Sequence, residues 1–133
     1  MFVFPGGGVE PADKQLAKRV GGLSKSCLPQ HCSAEQAHAL ALSAVRETAE
    51  ETGLCLGQAS NAEAPDADGW DLFRARKLFP VLAPLSYMGR AITPTSSPLR
   101  SHARFFAVER HHLEGHLTDT DELRNADWYP LAH

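Results

Sequence analysis

Between Arg46 and Leu54 the chain reads Arg-Glu-Thr-Ala-Glu-Glu-Thr-Gly-Leu, with carboxylates at Glu47, Glu50 and Glu51. On a helix advancing about 100 degrees per residue, the i, i+3, i+4 spacing gathers all three within roughly a quarter to a third of the circumference. Like charges so placed repel one another and cost stability unless a cation occupies the space between them. Oxygen ligands from a few carboxylates are what Mg²⁺ or Mn²⁺ prefers, the remaining positions going to water and substrate phosphates. Arg46, one turn before Glu50, is spaced to hold a carboxylate in position. An isolated acidic trio is more commonly a solvated helix face, so the surrounding residues decide between the two readings.

A helix must carry the trio, and the sequence supplies one. Ser33 and Gln36 have capping-box spacing, and Ala37, Leu40, Ala44 and Thr48, joined by Ala41, Val45 and Thr52, keep a helical period. The pattern predicts a helix from about 34 to 52, with Gly53 as its left-handed C-terminal cap. Upstream, Phe2-Val3-Phe4 is a β-type triplet broken by Pro5-Gly6-Gly7-Gly8, a short strand running into a loop. Residues 14–30, with Gly21-Gly22, Ser24, Ser26 and Pro29, read as a surface excursion with a single helical turn. Downstream, 61–69 reads as an exposed loop, 70–79 as a short amphipathic helix through Leu72, Arg76 and Phe79, and 85–92 and 102–108 as strands around a turn at 93–98. A last short strand is predicted at 127–129, ended by Pro130. The sum is an α/β domain.

The stretch from Arg46 to Leu54 matches the second half of the Nudix signature, G-x5-E-x7-R-E-U-x-E-E-x-G-U with U a bulky apolar residue, except that Thr48 stands at the first U. The first half is present as Phe4-Pro5-Gly6-Gly7-Gly8-Val9-Glu10-Pro11, which resembles the strand and glycine loop that open the motif. Two departures accompany the match. Asp13 stands where the family has its first Glu, and 32 residues, Lys14 to Val45, separate it from Arg46 where the family has seven. About 25 residues are therefore inserted, at about 14–38, and a surface insertion is cheap because closure entropy grows only logarithmically with length. With Pro11-Ala12-Asp13, Ala91-Ile92-Thr93-Pro94 and the run from Arg100 to Phe106, the chain looks like a bacterial Nudix subgroup with a split box, similar to peroxisomal Nudix hydrolases that cut coenzyme A.

The resemblance implies a single domain over 1–133 with the Nudix-type α/β/α sandwich and mixed sheet. It also implies a metal-dependent hydrolase that cleaves a diphosphate linkage in a nucleoside diphosphate derivative. Carried over residue by residue, Glu47, Glu50 and Glu51 bind the metals, with the carbonyl of Gly6 as a further ligand. Glu47 is the candidate base that activates water. Asp13 holds a metal-bound water or steadies the helix, and Arg46 orients the carboxylates. A downstream acid assists in some family members, and Glu122 is the candidate here. Arg100 and Arg104, at i and i+4 entering an extended segment, are candidates to grip substrate phosphates, against the alternative of solvated surface arginines. The competing function is a Nudix-fold module that binds or senses a ligand without turnover; such modules usually lose one helix acid, and all three are retained here.

Composition narrows the remaining possibilities. The chain has 133 residues, 43% hydrophobic and 22% charged, enough for one folded domain with one core. A formal charge of -3 gives no basic field for a nucleic-acid backbone, so a polynucleotide is not the default partner, and the small nucleotide-like substrate is what the resemblance implies. No apolar run approaches the length of a membrane span, Met1 to Pro5 lacks the pattern of a secretory signal, and a cytoplasmic location is the simplest expectation. Cys27, Cys32 and Cys55 are odd in number and read as free thiols. Cys27, His31, Cys32 and His38 fit no usual structural zinc spacing. Finally, nothing before Phe2-Val3-Phe4 supplies a neighbouring strand, and pairing with a second copy in a homodimer is expected to cover that edge.

Overall fold

The helix α2 (Ala34–Thr52) is the central element, and local chemistry fixes both its ends. Gln36 N–H donates to Ser33 Oγ at 3.1 Å, and Ser33 N–H donates back to Gln36 Oε1 at 2.9 Å, closing the capping box. At the other end Gly53 takes φ 79, a left-handed conformation that costs glycine nothing, and its N–H reaches the Ala49 carbonyl. One side of α2 is a run of small buried residues, including Ala37, Ala41, Ala44 and Ala49, which lets neighbouring backbone approach closely. Thr48 fits an apolar position because its hydroxyl is satisfied within the helix, donating to the Ala44 carbonyl at 2.8 Å.

The computed structural model describes residues 2–6, 8–20, 22–23, 33–92 and 102–115. Gly7, Cys27, His31, Cys32, the turn at 93–98, Arg100, Glu122 and the segment 127–129 lie outside these residues. Among those described, β1 (Phe2–Gly6), β4 (Ser86–Ile92) and β5 (His102–Val108) form one sheet in the order β1-β5-β4. A second sheet has the order β3-β2-β6, from β2 (Cys55–Ala59), β3 (Leu78–Pro80) and β6 (Leu113–Glu114). All the pairings among the described residues are antiparallel, with Phe4 opposite Phe106, Gly6 opposite Arg104 and Arg90 opposite Arg104. A bulge between Tyr87 and Gly89 shifts the β4 register. The expected strands at 85–92 and 102–108 correspond closely to β4 and β5.

Two expectations are corrected. The single helical turn anticipated in 14–30 is instead the helix α1 (Pro11–Ala17), which begins earlier and runs for seven residues. Pro11 opens it, Asp13 caps it by accepting the Glu10 N–H at 2.9 Å, and buried Leu16 anchors it to the core. The amphipathic helix anticipated over 70–79 is shorter, α3 (Asp71–Ala75), because Lys77 takes φ 55 and turns the chain into β3. Phe79 then pairs with Gln58 of β2 and does not continue a helical face.

The core joins α1, α2, α3 and both sheets through Leu16, Leu42, Val45, Leu56, Trp70, Phe73 and Phe106. Phe73 and Phe106 are fully buried, each stabilising the fold by roughly 1.5–3 kcal/mol relative to exposure. No helix among the described residues is long and apolar enough to cross a membrane.

Candidate metal and active site

Arg46 is the hub of the site. It lies on the fourth turn of α2 from the helix N-terminus, 2% exposed, and every polar arm of its guanidinium is engaged. Its Nε donates to Asp13 Oδ1 at 3.1 Å, Nη2 donates to Asp13 Oδ2 at 3.1 Å and to the Gly8 carbonyl at 2.9 Å, and Nη1 donates to Glu50 Oε1 at 3.1 Å. Glu10 adds a longer ion pair at 3.6 Å. One side chain thereby joins the loop after β1, the helix α1 and the acidic face of α2. Burial works against the guanidinium's charge, but the bonds and charge of Asp13, then Glu50 and Glu10, outweigh it and hold the Arg46 pKa above its ordinary value.

Asp13 is completely buried. Besides Arg46 it accepts the indole N–H of Trp70 at 3.3 Å and the backbone N–H of Glu10, so its carboxylate is surrounded by donors. It stands behind the acidic face and does not border the cleft, which is lined by Gly8, Val9, Glu10, Arg46, Glu47, Glu50 and Glu51 and has a volume of about 420 Å³. The spacing of the three glutamates along α2 thus brings all of them to one opening. Gly6 ends β1 two residues before Gly8, opposite Arg104 in β5.

The donor set consists of carboxylates and nearby backbone carbonyls, with no thiol in the lining, and this is the oxygen chemistry of Mg²⁺ and Mn²⁺. Among the described residues no three His, Cys, Asp or Glu side chains converge into a ready-made cage. Arg46 draws Glu50 to its side, while Glu47 and Glu51 share a helix face as like charges. Mg²⁺ fits such a site because it retains several waters and takes only one or two carboxylates directly.

Glu47, with its side chain 24% exposed, is pushed from an ordinary 4.5 up to about 7. Burial is the main cause, Arg46 opposes it, and Glu51 and Glu50 add to it. Unfolded, this carboxyl titrates near its ordinary value, so between 4.5 and about 7 the folded protein holds the extra proton. Stability of the metal-free protein is therefore expected to fall as pH rises through that window. A dication, which favours the ionised carboxylate, should flatten the fall. Melting curves in chelator and in Mg²⁺, for the protein and for Glu47→Gln, measure this; equal pH slopes with and without the Glu47 carboxyl would assign the effect elsewhere.

The chain resembles a solved Nudix hydrolase from Alicyclobacillus acidocaldarius, with a TM-score of 0.54 and 30% sequence identity over 86% of this chain. It shares the fold of a Nudix hydrolase. The chain covers 61% of the length of that protein. No family model and no curated protein matches the sequence. The acidic face of α2 and the loop at Gly8–Glu10 border one cleft, and Arg46 ties both to Asp13 behind it.

Arg104 is placed by register, facing Gly6 of β1 on one side and Arg90 of β4 on the other. Sequence reasoning passed over Arg90, because only cross-strand register brings it beside Arg104. It also passed over Trp70, whose N–H reaches Asp13 from 57 positions away.

Proposed function

We propose that this protein is a Nudix-type hydrolase that cleaves a diphosphate linkage in a nucleoside diphosphate derivative. The observation that carries this is the single cleft bordered by Glu47, Glu50 and Glu51 and backed by a buried, fully engaged Arg46. Glu47, Glu50, Glu51 and the Gly6 carbonyl hold Mg²⁺ or Mn²⁺. The cation supplies neutralisation of the diphosphate oxygens and a lowered pKa for water. Glu47 accepts the proton of the attacking water, whose oxygen forms a new P–O bond as the bridging P–O bond breaks, leaving two phosphate-bearing products. Asp13 fixes Arg46, and Arg46 fixes Glu50, so the pair contributes position. Glu122 is the assisting acid carried over from the family pattern, and Arg100 and Arg104 grip the phosphates, with Arg90 as a further candidate.

A mass-spectrometric screen of nucleoside diphosphate derivatives, including NADH, ADP-ribose, coenzyme A and its thioesters, with Mg²⁺ and then Mn²⁺, tests the reading. Metal-dependent cleavage abolished by chelator is expected. Saturable binding of one of these compounds with no cleavage under either metal would turn the reading toward a ligand-binding module.

Arg104→Ala is expected to raise KM several-fold while changing kcat little. A phosphate grip made equally in the ground and transition states contributes uniform binding. Steady-state kinetics on the best substrate from the screen measures it, and unchanged KM would return Arg104 to a structural place in β5.

A further inference from the structure

We propose that Gly69 is a positioning residue for the metal site: the absence of a side chain there is what allows Glu50 to stay against Arg46. This rests on the proposed metal-binding role of Glu50. Gly69 is buried in the segment between β2 and α3, with φ 88. A Cβ built at this position would collide with Glu50 Oε1, and would come within 2.6 Å of Arg46 Cγ and 2.8 Å of the Glu50 carboxyl carbon. Real Cβ contacts are not that short, so one side must move.

The segment cannot easily be the side that yields. Ala64 is buried within it and Ala67 packs against the core. The next residue, Trp70, is fully buried, packs its ring tilted against Phe73 with centroids 5.0 Å apart and donates its indole N–H to Asp13. Gly69 is thus pinned from one side by the same Asp13 that holds Arg46 from the other. Arg46 is tied by its bonds to Asp13 and Gly8, whereas Glu50 is 35% exposed and opens on the cleft. A methyl group at position 69 therefore pushes the Glu50 carboxylate aside and presses on the Arg46 stem, breaking the 3.1 Å bond between them and removing the carboxylate from its place beside Glu47 and Glu51. The backbone of Gly69 roofs the Arg46–Glu50 pair, and this gives the segment a function that its loop-like composition does not disclose.

The test is Mn²⁺ binding by the whole chain, followed by electron paramagnetic resonance of free Mn²⁺, for the unaltered protein, Gly69→Ala, Glu50→Gln and the double variant. Gly69→Ala is expected to weaken Mn²⁺ binding on the order of tenfold, the range in which supporting contacts of ligands act. Added to Glu50→Gln it should cause little further loss, because both act through one carboxylate. Gly69→Asn is the second variant, since asparagine tolerates the left-handed backbone yet still carries the Cβ, and it should weaken binding similarly if Gly69→Ala does not fold. Trp70→Phe, which keeps the ring and removes the N–H, should lower the melting temperature with a much smaller change in Mn²⁺ affinity. Unchanged affinity in folded Gly69→Ala or Gly69→Asn, or full additivity with Glu50→Gln, overturns the positioning role while leaving the metal site standing. An unaltered protein that binds no Mn²⁺ overturns both.

Discussion

Glu51→Gln and Glu47→Gln are each expected to lower metal-dependent turnover by on the order of a hundredfold or more with the fold kept, the metal-free Glu47→Gln protein lacking the loss of stability that the Glu47 carboxyl brings as pH rises. Both side chains border the cleft, and glutamine keeps their shape while removing the charge that a dication needs. The two losses should differ in kind. Glu51→Gln should weaken Mn²⁺ binding, so that part of its turnover returns as the metal concentration rises. Glu47→Gln should retain its deficit at saturating metal, because a missing proton acceptor is not replaced by more cation. Initial rates over a metal titration separate the cases. Near-normal turnover of both variants at saturating metal would remove the site from the cleft. Glu50→Gln belongs apart from this pair, because its carboxylate also answers Arg46 at 3.1 Å and its loss disturbs the hub as well as the proposed ligand set.

What sequence reveals here divides by the distance over which the information acts. The capping box of Ser33 and Gln36 and the left-handed Gly53 are local chemistry, and the bounds of α2 follow from them. The acidic face is equally local, because three or four residues of helix decide which side chains are neighbours. Short alternating segments that became β4 and β5 were readable for the same reason. The parts that were not readable depend on contacts across the chain. Asp13 meets Arg46 from 33 positions away and Trp70 from 57, so nothing near Asp13 in sequence announces that it is a buried ion-pair partner. The two glycines and the proline of 14–30 draw attention from α1, whose reason for existing is a capping carboxylate and one leucine in the core. At 70–79 the helical spacing was real but incomplete, since Lys77 at φ 55 ends it and strand pairing with β2 takes Phe79. Gly69 could not be distinguished from an ordinary loop glycine, because the collision it avoids is with side chains on another element.

Arg46→Ala is expected to destabilise the fold by about 3–5 kcal/mol, the cost of breaking a buried pair by removing one partner. Arg46 is 2% exposed and Asp13 is at 0%, so solvent cannot replace the lost guanidinium as it would on a surface. Asp13 keeps the Trp70 indole and the Glu10 N–H, which limits the loss, but neither carries a compensating charge. The Gly8 carbonyl and Glu50 lose a donor at the same time, though Glu50 is open enough to water for its share to be small. Urea unfolding with an unchanged m-value measures the effect, and a loss below about 1 kcal/mol would mean the pair behaves like a surface ion pair. Arg46→Met combined with Asp13→Leu divides the two services of the hub. Replacing both charges with apolar side chains of similar size removes the uncompensated carboxylate, and such exchanges of buried pairs are often neutral in stability. The double variant should therefore recover much of the stability lost in Arg46→Ala. It should not recover turnover, because Glu50 still lacks the guanidinium that holds it at the cleft. Recovery of both would show that Arg46 contributes only to the fold, and recovery of neither would show that the Trp70 and Glu10 donors left without Asp13 cost as much as the buried charge.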